Sequence, residues 1–250
     1  MPNKSKIITI TSFRRGTGKT NLLASLAALA AQGGYNTLLV DTAFRSPGLH
    51  TLYKVKPEGA TLTDCLMDNL DFQQALVKIR DRTFSGQLYL LPASESVQYI
   101  TQLLKKGYDF NQFRKNFLTL RKNLNLDLIF IDTQSGLNED NLVLLALSDV
   151  VLVLMRTDQQ EFQGTAVMVD LVKHLEIPKL RLLVNDLPDI YDPREFARDI
   201  RETHQCPVAA VLPHVSEMMS LGSRAVFALE YPNHHARKQL EDLLDDLISL

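Results

Sequence analysis

Apolar positions along the chain fall into short runs separated by stripes of helical period. Lys6 to Thr11 alternates and β-branches like a buried strand. Asn21 to Gln32 then carries Leu22, Leu23, Leu26, Leu29 and Ala30 at helical spacing, and Gly33 and Gly34 stop it. Thr37 to Val40 predicts a second strand, ending in Asp41 ahead of an Arg45-Ser46-Pro47-Gly48 turn. Residues 56 to 80 read as a turn and two short helices, LTDCLMDNL and FQQALVKI, and Leu88 to Leu91 as a strand closed by Pro92. From Val97 to Asn125 the pattern is helical. Phe110, Phe113, Phe117, Leu120 and Leu124 share one stripe there, a spacing that favours core over a base-stacking platform.

The alternation continues to the end. Leu126 to Ile131 is an apolar strand interrupted by Asp127 and ending in Asp132, before Thr133-Gln134-Ser135-Gly136. Helical Leu142 to Leu147, strand Val150 to Leu154, helical Gly164 to Leu175, strand Leu180 to Val184 and a further run at Val208 to Leu212 follow. Ala236 to Leu250 is a last amphipathic helix, with Leu240, Leu243, Leu244 and Leu247 on one side. Nearly continuous apolar strands separated by helices predict an α/β fold: a mostly parallel sheet covered by helices on both faces. No repeat, low-complexity tract or linker divides the chain, so residues 1–250 read as a single domain.

Composition narrows the class. At 250 residues, 45% hydrophobic and 22% charged, the chain can bury one large core. A formal net charge of -2 provides no overall field toward nucleic acid or anionic lipid, while leaving room for a local patch. Cys65 and Cys206 lack C-x-x-C spacing and read as reduced thiols. MPNKSK lacks the apolar core of a signal peptide and no run is long enough to span a membrane, so a cytoplasmic location is the expectation.

The chemistry concentrates in Ile7 to Asn21, IITITSFRRGTGKTN, where a strand breaks into a Gly-Thr-Gly-Lys-Thr turn and then a helix. Backbone N–H groups of such a turn and of a helix N-terminus converge on an anion. Lys19 would neutralise β- and γ-phosphates, and the Thr20 hydroxyl would ligate magnesium. The strict G-x-x-x-x-G-K-[ST] pattern fails at Phe13, so context must carry the assignment. Asp41 and Asp132, each closing a strand, supply that context, because a hydroxyl and strand-end aspartates hold the metal of P-loop enzymes.

These residues resemble the ParA/MinD family of deviant Walker A P-loop ATPases. FRRGTGKTN corresponds to the family's phosphate loop, LLVDTAFRSPGL to its first Asp-bearing strand and switch, and FIDTQSG to Walker B and the second switch. VVLVLMRTDQQEFQGT resembles the next strand and helix entry, LLVNDLP the strand whose asparagine reads adenine, and VAAVLP the strand whose proline packs near the base. The resemblance implies that Arg15, Gly16, Thr17, Gly18, Lys19, Thr20 and Asn21 wrap the phosphates of ATP or ADP. Asn185 and Pro213 would contact adenine, Thr20 would bind Mg2+, and Asp41 and Asp132 would stand around its water shell. It also implies an ATP-dependent homodimer with an adaptor or activator protein. Lys19, Asp41 and Arg14 would be the catalytic groups.

Two departures bear on turnover. Arg14 stands where the family has a signature lysine reaching the partner's phosphates, and Arg15 where it has glycine; a planar guanidinium is bulkier and not a neutral exchange. The expectation is an Arg14 acting in trans, against a contact in cis or with solvent. Ala43 stands where many members place an aspartate that assists the attacking water, leaving Gln134 or a neighbour to orient the nucleophile, or no hydrolysis at all. The implied function is an ATP-dependent switch with weak ATPase activity that positions DNA or a large cargo. The alternative is a nucleotide-stabilised scaffold without turnover. A metabolic ATP-dependent enzyme lacks a recognisable second-substrate motif.

Two surface stretches address partners. QLEDLLDDLISL at the end of the sequence carries Glu241, Asp242, Asp245 and Asp246, which an anionic membrane would repel, so direct membrane binding is disfavoured. Arg194, Arg198 and Arg201 form one helical ridge flanked by Glu195, Asp199 and Glu202. An ion-paired solvated face fits that stretch better than a nonspecific DNA patch, which stays open as the second reading. Met218 and Met219 read as core or interface.

Overall fold

The computed structural model describes residues 5–250, with the side chain of Leu104 left aside. Met1 to Lys4, on which part of the reading against a signal peptide rests, lie outside the described residues. The strands are β1 (Lys6–Thr11), β2 (Asn36–Asp41), β3 (Val77–Ile79), β4 (Gln87–Leu91), β5 (Leu128–Asp132), β6 (Val150–Met155), β7 (Lys179–Leu187) and β8 (Val208–Pro213). They form one sheet in the order β3-β4-β2-β5-β1-β6-β7-β8, parallel except where β3 runs against β4 at one edge. The chain leaves β1 to build one side of the sheet and later returns to build the other. The C-terminal end of β1 is therefore a topological switch point, where open α/β sheets bind ligands.

The helices are α1 (Lys19–Gln32), α2 (Leu49–Leu52), α3 (Leu62–Asp68), α4 (Val97–Lys106), α5 (Phe110–Asn123), α6 (Glu139–Ala146), α7 (Gln159–His174), α8 (Pro193–His204), α9 (Ser216–Leu221), α10 (Phe227–Glu230) and α11 (His235–Ser249). The two-residue period of the strands explains their placement. Ile8, Ile10, Phe130 and Leu152 point to one face, where they join residues of α1, α10 and α11 in a common core. Ile7, Ile129 and Ile131 point to the other, against α3 and α5. Val151 and Val153 point the same way under α7 and α8. Central strands buried on both faces are what the unbroken apolar runs encode.

α1 is buried along almost its whole length because α2, α10 and α11 cover the side that the sheet does not. Each fully buried leucine there contributes about 1.5–3 kcal/mol, so the helix that begins at the glycine-rich loop is firmly seated. α11 lays Leu240, Leu243, Leu244 and Leu247 into the same core, so its apolar stripe is used inside the fold. Its last turn is fastened to the start of β1, where Lys6 Nζ donates to the carbonyls of Leu247, at 3.2 Å, and Ile248. Cations at a helix C-terminus satisfy its unpaired carbonyls in this way.

Three expectations need correction. FQQALVKI is no helix: Asp71 caps a single 3-10 turn over Phe72–Ala75, Leu76 turns extended, and Val77 and Ile79 pair with Leu90 and Leu88 as an edge strand. The β-branched ends of that segment win over its helical middle. The stretch Val97 to Asn125 is two helices, broken at Gly107 (φ 65°), with Asp109 capping the second. α7 starts at Gln159 rather than Gly164, because Asp158 accepts a hydrogen bond from Glu161 N and caps it. The aromatic stripe is core, as its spacing predicts: Phe113 stacks on Phe110 and Phe117, with centroids 5.9 and 5.7 Å apart. Cys65 and Cys206 are buried free thiols. Among the described residues no helix is long and apolar enough to cross a membrane.

Candidate nucleotide site

Between β1 and α1 the chain takes left-handed backbone at Gly16 (φ 80°) and Gly18 (φ 101°). The left-handed backbone demands glycine at position 18, and a Cβ there, 2.5 Å from Asn185 Nδ2, would also displace that amide. α1 opens with no side-chain cap and no acid in its first turn. α3, α5, α6, α7 and α8 are capped by Thr61, Asp109, Asn138, Asp158 and Asp192, whereas α4 shares with α1 a start without a side-chain cap or an acid. What sets α1 apart is the left-handed glycine loop that leads into it, whose N–H groups and those of the helix start can converge on an anion.

Lys19 is buried beneath this loop and donates to Ser12 Oγ at 2.8 Å and Ser135 Oγ at 2.6 Å. Burial pulls its ammonium below the ordinary lysine range, with Asp132 and Glu161 opposing that shift. Asp41 and Asp132 are aligned neighbours on β2 and β5, both fully buried. Asp41 accepts from the backbone N–H groups of Ala43, Gly48 and Leu49 at 3.1 to 3.2 Å, which ties the turn after β2 to the strand end. Asp132 Oδ2 accepts from the Thr20 hydroxyl at 2.6 Å, while its Oδ1 is buried without a partner. Burial, with the Asp41 charge second, pushes the Asp132 carboxyl up to about 7, and burial raises Asp41 as well.

A buried carboxyl oxygen without a partner, beside a second acid and a hydroxyl, is where a proton or a cation would be taken up. The donor set is all oxygen, which suits magnesium. Two clefts open over these groups. The first, about 390 Å³, is lined by Arg15, Gly16, Lys19, Thr20, Ala43 and Gln134 among others. The second, about 250 Å³, holds Asn185, Pro213, Arg156, Asp186, Met218 and Met219 in its walls. Gly16, Gly18 and Asn21 border both, so the two are continuous along the loop.

The profile of the AAA_31 family, described as an AAA domain, matches residues 5–182. The septum site-determining protein MinD of Synechocystis is 25% identical over 223 residues, 84% of this chain and 76% of its own. MinD of Pyrococcus horikoshii, solved with Mg-ADP, superposes with a TM-score of 0.82 at 18% identity, covering 98% of this chain and 96% of that one. A ParA family ATPase of Chlorobium tepidum gives a TM-score of 0.76 at 18% identity, covering 98% of both. The chain belongs to the ParA/MinD family of P-loop ATPases.

Within this ParA/MinD protein the candidate nucleotide-site residues lie at the C-terminal edge of the sheet. Asn185 lines the second cleft, and its Nδ2 donates to Thr17 O at 2.8 Å, so it clasps the glycine-rich loop. Asn21 donates to Ser223 Oγ at 3.0 Å and bridges the clefts. Arg15 lines the phosphate cleft and forms no ion pair among the described residues. Arg14 is engaged in cis: its guanidinium meets Asp158 at 3.2 Å and Glu161 at 3.9 Å. Met219 is a 69% exposed wall of the second cleft rather than core.

Sequence reasoning missed several members of the site. Ser12 and Ser135, which hold Lys19, carry no signal beyond their nearness to the loop and to Asp132. Glu161 is buried with Oε2 unpartnered, and burial raises its carboxyl. The Asp-x-x-Glu spacing of Asp158 and Glu161 was a readable helix start. Asp186, at φ 64° in an irregular part of the β7 to β8 pairing, binds Arg156 and, at 2.6 Å, His214 Nδ1. No local pattern announces that trio, since its members come from three strand ends.

Proposed function

We propose that this protein binds magnesium-ATP and uses it to switch between monomer and dimer, with slow hydrolysis to ADP and phosphate resetting the switch. The observation that carries this reading is Asp132 Oδ1, buried and unpartnered beside Thr20 and Asp41 under the uncapped start of α1. A folded protein leaves such a group unpaired at a cost of about 1–3 kcal/mol or more, and a magnesium nucleotide would satisfy it. Thr20, Asp132 and Asp41 would hold the ion, directly or through water, and the ion would neutralise charge on the terminal phosphates. Gly16 to Asn21 would wrap the phosphates, with Arg15 over them. Asn185 and Pro213 would bound the base.

Arg14 acts in trans on this reading, as a group reaching the partner's phosphates. Its half-exposed side chain would first have to leave Asp158 and Glu161, so dimer formation exchanges one ion pair for another. A homodimer, an adaptor or activator protein, and a cytoplasmic role in positioning DNA or a large cargo complete the proposal. The exposed Arg194, Arg198 and Arg201 of α8, where Arg198 pairs with Asp199 at 3.4 Å, fit a solvated ion-paired face first and a nonspecific DNA surface second. A second reading, a scaffold that binds nucleotide without turnover, is favoured by Ala43, which contributes only a methyl group to the phosphate cleft.

Thermal shift with magnesium-ATP or magnesium-ADP, beside phosphate release and light-scattering mass, tests both. At about one hundred times Kd the folded state gains roughly 2.7 kcal/mol. Stabilisation without phosphate release selects the scaffold, and no stabilisation by any nucleotide rejects both. An Arg14→Ala variant that dimerises and hydrolyses like the unmodified protein refutes the trans role.

A further inference from the structure

One polar group in the phosphate cleft has no task in the reading above. Gln134 is 9% exposed, lines the cleft beside Ala43 and Ser135, and keeps its Nε2 buried without a partner. Its backbone, in contrast, is held from both sides. Thr133 Oγ1 donates to Ile10 O at 2.9 Å, and Gly136 N donates to Ser12 O at 2.8 Å. Asn141, buried in α6, donates through Nδ2 to Gln134 O and Gly136 O, both at 2.8 Å. The loop is thus fixed to β1 and α6, while the amide it carries is left over.

The other buried polar side chains of this cleft are spoken for. Lys19 is occupied by Ser12 and Ser135, Thr133 by Ile10, and Thr20 by Asp132. The Ala43 side chain, in the same lining, offers no donor or acceptor. An amide can accept a hydrogen bond from water through its oxygen while its N–H₂ donates to a phosphate oxygen, a pairing that phosphoryl-transfer sites use to aim water.

We propose that Gln134 orients the water that attacks the terminal phosphate, a task for which Ala43 has no group. The inference rests on the ATP-switch reading. In the step, the water oxygen bonds to the γ-phosphorus as the bond from that phosphorus to the β,γ-bridging oxygen breaks. The bonding pair leaves with ADP, and the water's proton ends on the released phosphate. Gln134 neither gains nor loses a proton, so its contribution does not change with pH.

The test uses the full chain, with Gln134→Leu, Gln134→Glu and the double variant Ala43→Asp with Gln134→Leu. Gln134→Leu should lower kcat at least about tenfold while KM and the magnesium-ATP thermal shift stay within about twofold. Gln134→Glu should make kcat rise with pH as the new carboxyl ionises, a signature that a merely structural residue would not create. The double variant should recover several-fold of the lost rate, because a carboxylate at position 43, after the neighbouring strand β2, gives the water an alternative acceptor. A Gln134→Leu protein that turns over normally overturns the proposal, as does one that loses nucleotide binding and turnover together. An unmodified protein that is stabilised by magnesium-ATP but releases no phosphate also overturns it and leaves nucleotide binding standing. Absence of any nucleotide stabilisation instead fails the reading beneath it.

Discussion

The two halves of the nucleotide site are built on opposite principles. Around the phosphate cleft the groups are charged, buried and held in place before any ligand arrives: Lys19, Asp41 and Asp132 are each less than a tenth exposed. Around the base cleft the polar groups are half open to solvent. Arg156 is 47% exposed and His214 42%, while Asp186, at 22%, ties them together. Desolvated charges are costly without a partner and strong with one. Solvated ones contribute little either way. Affinity should therefore reside mostly in the phosphate half, and the base half should set which nucleotide sits there.

The hardest test of this contrast is Lys19→Ala. It should weaken magnesium-ATP binding more than about 100-fold, or roughly 2.7 kcal/mol, measured by calorimetry. The nucleotide-free protein should melt no lower than before, because a buried ammonium is removed. Comparable affinity in the variant would break the comparison.

Gly18→Ala probes the seam between the halves. A methyl at φ 101° meets Asn185 at 2.5 Å, and backbone strain of this kind costs about 1–3 kcal/mol, so binding should fall about tenfold. Adding Asn185→Ala removes the clash but not the strain. The double variant should thus bind better than additivity of the singles predicts.

Acid and alkali should separate the two flanks by sign. Asp132 is held at about 7 in the fold, above its ordinary 3.8, mainly by burial. Its favourable contribution is complete below 3.8 and is lost as pH rises through about 7. His204, under the base-side flank, has both ring nitrogens buried and unpartnered, and burial lowers its pKa from 6.5, with Lys173 adding to the effect. Its contribution is complete above 6.5 and is lost as pH falls below that value. In the metal-free protein, Asp132→Asn should remove the fall in melting temperature that accompanies rising pH between about 5 and 7, and His204→Leu should remove the opposing fall on acidification below about 6.5. The smallest effect belongs to the base wall, where Met219→Ala should change ATP affinity by less than about threefold, because so exposed a side chain buries little apolar area.

Much of this contrast is legible in the chain. The strand ends at Asp41 and Asp132 could be read because apolar runs buried on both faces stop abruptly at a charged residue. The phosphate loop could be read because left-handed backbone and a tight approach leave few choices but glycine. What could not be read depends on which strands become neighbours. β1 lies between β5 and β6, and only that order brings Ser135 to Lys19. The Arg156, Asp186 and His214 trio likewise forms only once β6, β7 and β8 lie side by side. β3 escaped because three residues show no period, and the break at Gly107 because one glycine inside an amphipathic stretch is compatible with a continuous helix.

The clasp of Lys6 on the last turn of α11 has a practical side. Lys6 opens β1, whereas the nucleotide clefts lie past its other end, about six strand residues or 20 Å away. Leu250 therefore emerges on the opposite rim of the sheet from Arg14, Arg15 and the switch loops. A fluorescent reporter or a surface tether joined after Leu250 has a natural handle there. It would leave open to view the face proposed to meet ATP and a second subunit.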